Sequence, residues 1–168
     1  MRSQPLRWIF LDRIDELVVG ERVVGAYTWP DALGIFDQHF PEWPVVPGVL
    51  LMEALAQLSG KAIGYTVRAQ RGDWPWPILS MMRDVKFRKF VRPDEEVVLE
   101  ARFLALRDES ASMKVVARRD GRPVAQAEQI FVFQAVPIEE PDVRRRVEDV
   151  EAGELKRLWP GFDPKVWG

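Results

Sequence analysis

The chain of 168 residues contains no cysteine. That absence excludes disulfides, thiolate nucleophiles and cysteine-ligated zinc or iron–sulfur centres, and it fits a reducing compartment. Histidine occurs once, at His39, and no metal site is expected. An excess of one charge is also missing: 24 Lys+Arg stand against 26 Asp+Glu, a net charge of −2. Nucleic-acid binding usually needs a clearly basic face, so composition offers no case for such a partner, and a charge-driven partner has to be recognised locally. No uninterrupted apolar run reaches the length of about 18 residues that a membrane helix needs. The start, "MRSQPLRWIF", lacks the apolar core and small-residue cleavage site of a signal peptide, so a cytoplasmic protein is expected. What remains is ordinary for a soluble globular chain: 47% hydrophobic and 30% charged residues, enough for one sizeable core.

Hydrophobic periodicity divides the chain. "LRWIFLDRIDEL" (Leu6 to Leu17) mixes Trp8, Ile9 and Leu11 with charges and is expected to form a short helix. "ERVVGAYTW" (Glu21 to Trp29) is β-branched and aromatic, a strand that Pro30 ends. From Gly48 to about Gln70, strong helix formers with apolar residues on nearly every face predict a buried central helix, entered through Pro47 and Gly48. Gly60 and Gly64, one turn apart, suggest close approach of another backbone. "RGDWPWP" is a break, followed by strand-like segments at Ile78 to Val91 and Glu96 to Arg107, the latter alternating through Val97, Leu99, Ala101, Phe103 and Ala105. Asp120-Gly121 between two further strand-like runs is a hairpin signal, because both central residues of such a turn take φ > 0. An α+β fold follows: one long buried helix and several long antiparallel strands. The expected division is a domain over 1–136 and an extension over 137–168. That extension carries four prolines, dense charge, a helical pattern near Val150 to Leu158, and three large aromatics, Trp159, Phe162 and Trp167. The aromatics favour a tail that docks, the prolines and charges a disordered one.

Chemistry concentrates in "HFPEWPVVPGVLLMEALAQLSG" (His39 to Gly60). His39 lies in a loop stiffened by Pro41, Pro44 and Pro47, which suits a side chain held in one orientation; the plainer reading is a ring packed on Phe40 or Trp43. Glu53 is an acid among Leu50, Leu51, Met52, Ala54, Leu55 and Ala56. An apolar setting favours the neutral carboxylic acid, which can donate a proton, and Gln57 at i+4 can orient it. The alternatives are a structural Glu53–Gln57 pair or an ion pair with Lys61. Gly48 opens the helix, whose free N–H groups and dipole can hold an oxyanion, and a glycine there lets a substrate approach. A base, a protonated acid and an oxyanion site are what removal of water from a 3-hydroxyacyl thioester requires.

Here the sequence resembles the bacterial 3-hydroxyacyl-(acyl carrier protein) dehydratases of fatty-acid synthesis, which have the hotdog fold. The resemblance runs from about Ile9 to Val136. It is carried by "HFP…P…PGVLLMEALAQLSG", with "FLDRIDEL" and "VKFRKFVRPDEEV" similar to flanking segments. It implies a long central helix wrapped by a curved antiparallel sheet, His39 and Glu53 as catalytic residues, and the Gly48 amide at the oxyanion. It also implies a glutamate that serves the partner subunit's site, hence an obligate homodimer, with a trimer of dimers as a further assembly. Substrate contacts are expected at Phe40, Val49 and Gln57, and no metal or organic cofactor is implied.

The partner implied is an acidic acyl carrier protein. Lys86, Arg88, Lys89 and Arg92, helped by Arg68, form the densest basic stretch and are its expected docking site; a solvated strand face is the plainer reading. Departures from the family are Gln38 and Glu42, where glycines flank its histidine motif, Trp43 in a usually polar place, and Pro93-Asp94-Glu95 for "PGD", which argues for a changed turn. Two other functions compete with dehydration: a hotdog thioesterase whose carboxylate activates water, and a non-catalytic acyl-binding or assembly protein.

Overall fold

The computed structural model describes residues 8–133 and 140–167. Six strands form one antiparallel sheet, in the order β1-β2-β4-β5-β6-β3. They are β1 (Arg13–Val18), β2 (Arg22–Thr28), β3 (Pro77–Phe87), β4 (Glu96–Leu106), β5 (Ser110–Arg119) and β6 (Arg122–Phe133). Helix α1 (Gly48–Arg71) packs along five of these strands, and α2 (Pro141–Leu158) follows the sheet.

The sheet exists because its strands alternate. Val97, Leu99 and Ala101 of β4 and Ala111, Met113, Val115 and Ala117 of β5 all turn inward and are buried, meeting Leu51, Leu55, Leu58 and Ile63 of α1. The alternation expected through Ala105 loosens after Ala101, because a register shift between Phe103 and Ala105 interrupts the ladder. Asp120 and Gly121 take φ of 50° and 73° and close the β5–β6 hairpin, the conformation their pairing predicts. α1 begins at Gly48 with Pro47 as its cap and stops at Gly72, whose φ of 75° places it in the left-handed region that ends helices.

Two expectations are corrected. The helix expected over Leu6 to Leu17 is not found in the described part of that segment, from Trp8 on: Arg13–Val18 is the edge strand β1, with Ile14 and Leu17 buried and the ladder to β2 supported by Arg22–Glu16. Its mixed period belongs to a bulged strand with a register shift between Ile14 and Glu16. The Gly60/Gly64 pair does not admit a backbone. A Cβ at Gly64 would lie 2.6 Å from Nε1 of the Trp74 indole, whereas Gly60 has only ordinary contact with Pro77. In the turn at Pro93-Asp94-Glu95, Asp94 takes φ of 61°, a left-handed conformation that aspartate tolerates better than most side chains. Glu95 then braces this turn: burial pushes its carboxyl up, but the Arg92 amide and the Arg119 guanidinium outweigh that and hold it below the ordinary range.

The tail is ordered where it is described, and α2 is longer than its sequence pattern suggested. Leu155 and Leu158 are buried, and Trp159 and Phe162 pack about Tyr65 of α1, Trp159 edge-on at 5.0 Å. Trp167 stacks on the same ring. The boundary expected at 136/137 lies outside the described residues.

Candidate active site

His39 follows a short 3-10 turn (Gly34–Asp37), and its own amide donates to Phe36 O. Its Nδ1 lies 3.0 Å from the Val45 carbonyl oxygen. A carbonyl only accepts, so Nδ1 carries the proton and Nε2 is left with a free lone pair, the tautomer a base needs. The carbonyl is itself fixed: Val45 is buried, and Val46 N donates to Val91 O at the end of the chain that leaves β3. The ring also meets Phe40 edge-on at 4.8 Å, so both readings of the loop hold at once, a packed histidine with one nitrogen available.

Glu53 stands on the second turn of α1 and is half-buried. Its Oε1 accepts from Gln57 Nε2 at 3.0 Å and from Trp8 Nε1 at 3.2 Å. The Gln57 amide is oriented in turn, because its Oε1 accepts the Phe10 backbone N–H at 2.8 Å. Oε2 of Glu53 has no hydrogen-bond partner among the described residues, and neither has the carboxylate a cation. The alternative pairing with Lys61 is ruled out, since that ammonium bridges Glu151 and Glu154 of α2 at 2.8 and 2.7 Å. The acid is therefore not sealed among its sequence neighbours. It faces a cavity of about 410 Å³ with Trp8, Gln57, Trp74, Trp76 and Phe131 in its walls. Trp8 is a partner of Glu53 that the sequence does not reveal, since nothing local marks it as the neighbour of a residue 45 positions away.

Gly48 has a packing role at the start of α1. A Cβ there would sit 2.7 to 3.0 Å from three ring atoms of Phe87, so the glycine makes room for that ring at the start of the helix. The first turn still leaves amide N–H groups without carbonyl partners inside the helix. Phe40 and Val49 are exposed, 59% and 71%, and neither these two nor His39 lines the cavity beside Glu53. Among the described residues no hydrogen bond or ring contact joins His39 to Glu53.

Of the basic residues, Lys86, Arg88, Lys89 and Arg92 are all exposed. Arg88 has only a neutral partner, bonding to Gln126 Oε1 at 3.0 and 3.2 Å. Arg68 leaves this set. Its guanidinium donates to the carbonyls of Val166 and Trp167, pairs with Glu148 and lies over the Trp167 ring, so it is committed to the tail.

Residues 4–131 match the family described as the FabA-like domain. The chain belongs to that family. Among curated proteins, this FabA-like chain is 33% identical over 125 residues to the 3-hydroxyacyl-(acyl-carrier-protein) dehydratase FabZ of Clostridium acetobutylicum, covering 74% of this chain and 86% of that one. It is 33% identical over 135 residues to FabZ of Listeria welshimeri, covering 79% and 92%. Among solved structures, the dehydratase heterocomplex ApeI:P of Xenorhabdus doucetiae superposes with a TM-score of 0.65 at 12% identity, over 83% of this chain and 90% of that one. A hypothetical thioesterase protein with coenzyme A from Streptococcus pneumoniae gives 0.57 at 14%, over 73% and 85%. At such identities the structural likeness establishes the hotdog fold alone. No described helix of this FabA-like protein is long and apolar enough to cross a membrane.

Proposed function

We propose that this protein removes water from a 3-hydroxyacyl chain held as a thioester on an acyl carrier protein, giving the trans-2-enoyl thioester. The observation that carries the reading is Glu53. A carboxyl with one oxygen held by two neutral donors and the other without a partner among the described residues, at the wall of a cavity lined in part by aromatic rings, suits a proton donor to a leaving hydroxyl. Nε2 of His39 takes the proton from the carbon next to the thioester carbonyl. The electrons pass onto the carbonyl oxygen, which the amides at the start of α1 stabilise. They return to form the carbon–carbon double bond as the C3–O bond breaks, and Glu53 protonates the departing hydroxyl, which leaves as water. Proton return from imidazolium to carboxylate through solvent restores both groups.

Because His39 and Glu53 do not meet within one chain, the reading requires a second copy whose His39 comes to this Glu53. The edge strand β3 is suited to receive that copy: Met81, Met82, Val85 and Phe87 are exposed along it, an apolar stripe on a strand with one unpaired edge. The four basic residues after and along β3 would receive the acidic carrier.

The deciding experiment offers the purified protein 3-hydroxyacyl and saturated acyl carrier thioesters in parallel. Enoyl product with no hydrolysis of the saturated thioester is the expected result. Release of free acid from the saturated thioester reassigns the site to a thioesterase, and saturable binding without turnover of either reassigns it to an acyl-binding protein.

A further inference from the structure

The cavity beside Glu53 has a wall that the family match does not include. The match ends at residue 131, whereas Val147, Val150, Glu151 and Glu154 of α2 line the same cavity as Glu53 and Gln57. Their spacing of three, four and seven residues is one face of a helix, so α2 presents a continuous stripe to the cavity. On α1 the cavity runs from Glu53 to Lys61, eight residues, or about 12 Å of helix. At its far end Lys61, buried, binds both Glu151 and Glu154. Two further contacts hold α2 there: Arg68 with Glu148 at 3.5 Å, and Arg144 with the Trp74 carbonyl at 3.4 Å. Trp74 and Trp76, stacked with centroids 5.9 Å apart, also line the cavity.

We propose that α2 is the end wall of the acyl cavity, and that Val147 and Val150 fix the longest apolar chain that fits past Glu53. The inference rests on the dehydratase reading for the identity of the chain, and on the cavity alone for the role of the wall. Lys61 acts as the positioning residue of the wall, because one ammonium between two carboxylates pins the helix face to α1. Val150 is 64% exposed overall, so its outer side has room and a larger side chain there does not force the core apart.

The test uses the full chain and two variants of opposite sign, Val150→Trp to shorten the cavity and the double Val147→Ala/Val150→Ala to lengthen it. The readout is the ratio of kcat/KM for 3-hydroxydodecanoyl over 3-hydroxybutyryl carrier thioesters. The tryptophan variant lowers that ratio at least about tenfold and the alanine pair raises it, since apolar contact with the long chain is lost in the first and room for it gained in the second. Ratios within about twofold of the parent in both variants overturn the proposal. If the parent dehydrates neither substrate, the dehydratase reading fails by itself, and the wall is judged by binding. Saturated fatty acids of increasing length are titrated against the fluorescence of the lining tryptophans. A cut-off length that moves in opposite directions in the two variants supports the wall. A common cut-off in all three proteins, or no binding, overturns it.

Discussion

The two halves of the proposed chemistry are built in opposite ways. Glu53 is set by its own chain: a buried helix carries it, Gln57 and Trp8 hold one oxygen, and Phe10 holds Gln57. His39 has one polar anchor, Val45 O, on a loop whose neighbours Phe40 and Trp43 are 59% and 48% exposed and rest on other exposed rings or on His39 itself. The surroundings of Glu53 are complete within the monomer, whereas His39 is partly buried on a loop with exposed neighbours. Under the proposed mechanism this difference makes a single chain the holder of two half-sites, and association becomes part of the catalytic geometry.

The sharpest way to break this comparison is to remove one half at a time. Glu53→Gln keeps the shape and both hydrogen bonds and removes the transferable proton; His39→Ala removes the base. Each is expected to lower kcat by at least about 10²-fold, the range for general acid–base catalysis, with the melting temperature nearly unchanged for the glutamine variant. Near-normal turnover by either would remove that residue from the mechanism. Mixing the two inactive proteins after reversible dissociation tests the pairing itself. With sites shared across a dimer, about half of the dimers are mixed and one site in each is intact, so about a quarter of parental activity returns. No recovery in demonstrably mixed dimers would mean that His39 and Glu53 of the same chain work together, or that they do not work together at all.

How much of this was legible beforehand follows the range of the contacts. The bounds of α1 and the Asp120-Gly121 hairpin depend on neighbours within a few positions, and the sequence reading of both agrees with the structure. β1 did not read as a strand because its pairing partner, β2, and its bulge decide its conformation, and neither leaves a local period. The surroundings of Glu53 were misjudged for a related reason. Its apolar sequence neighbours point in other directions around the helix, while the groups that touch it include Trp8, 45 positions away. Gly48 likewise answers to Phe87, and Lys61 to carboxylates on α2. Residue types near the site were readable, but what each faces was set by the fold.

A smaller effect probes the completed half. Gln57→Ala removes a donor to Glu53 and unpairs the Phe10 amide. Losing one such bond is worth about 1 to 1.5 kcal/mol, so kcat should fall by roughly tenfold or somewhat less. A positioning role predicts that KM stays within about twofold and that Gln57→Glu, which keeps length and acceptor but loses the donor, recovers little. If KM rises while kcat is unchanged, Gln57 contacts substrate and does not orient the acid.

The smallest expected effect belongs to the histidine half, where the exposed cations gather. Val91 accepts from Val46, and Phe90 meets Trp43 at 5.3 Å, so the segment bearing Arg88, Lys89 and Arg92 is physically joined to the His39 loop. A carrier docked there would deliver its thioester to the base from the outward side. The guanidinium groups of Arg88 and Arg92 form no ion pair among the described residues, the Arg92 backbone N–H alone binding Glu95, and both side chains are exposed for such a contact. Exposed pairs are worth only about 0.2 to 1 kcal/mol each, so the double change Arg88→Glu/Arg92→Glu should raise KM for the carrier-linked substrate by a few-fold to about tenfold and leave kcat alone. A short thioester analogue without the carrier should show no change. Added salt should weaken the parent toward the variant, because exposed charges are screened beyond about 8 Å near physiological ionic strength. Equal losses on the carrier-linked and the short substrate would instead place the damage in the His39 loop, which these residues flank, and the basic stretch would then be a solvated face that supports the base without recognising a partner.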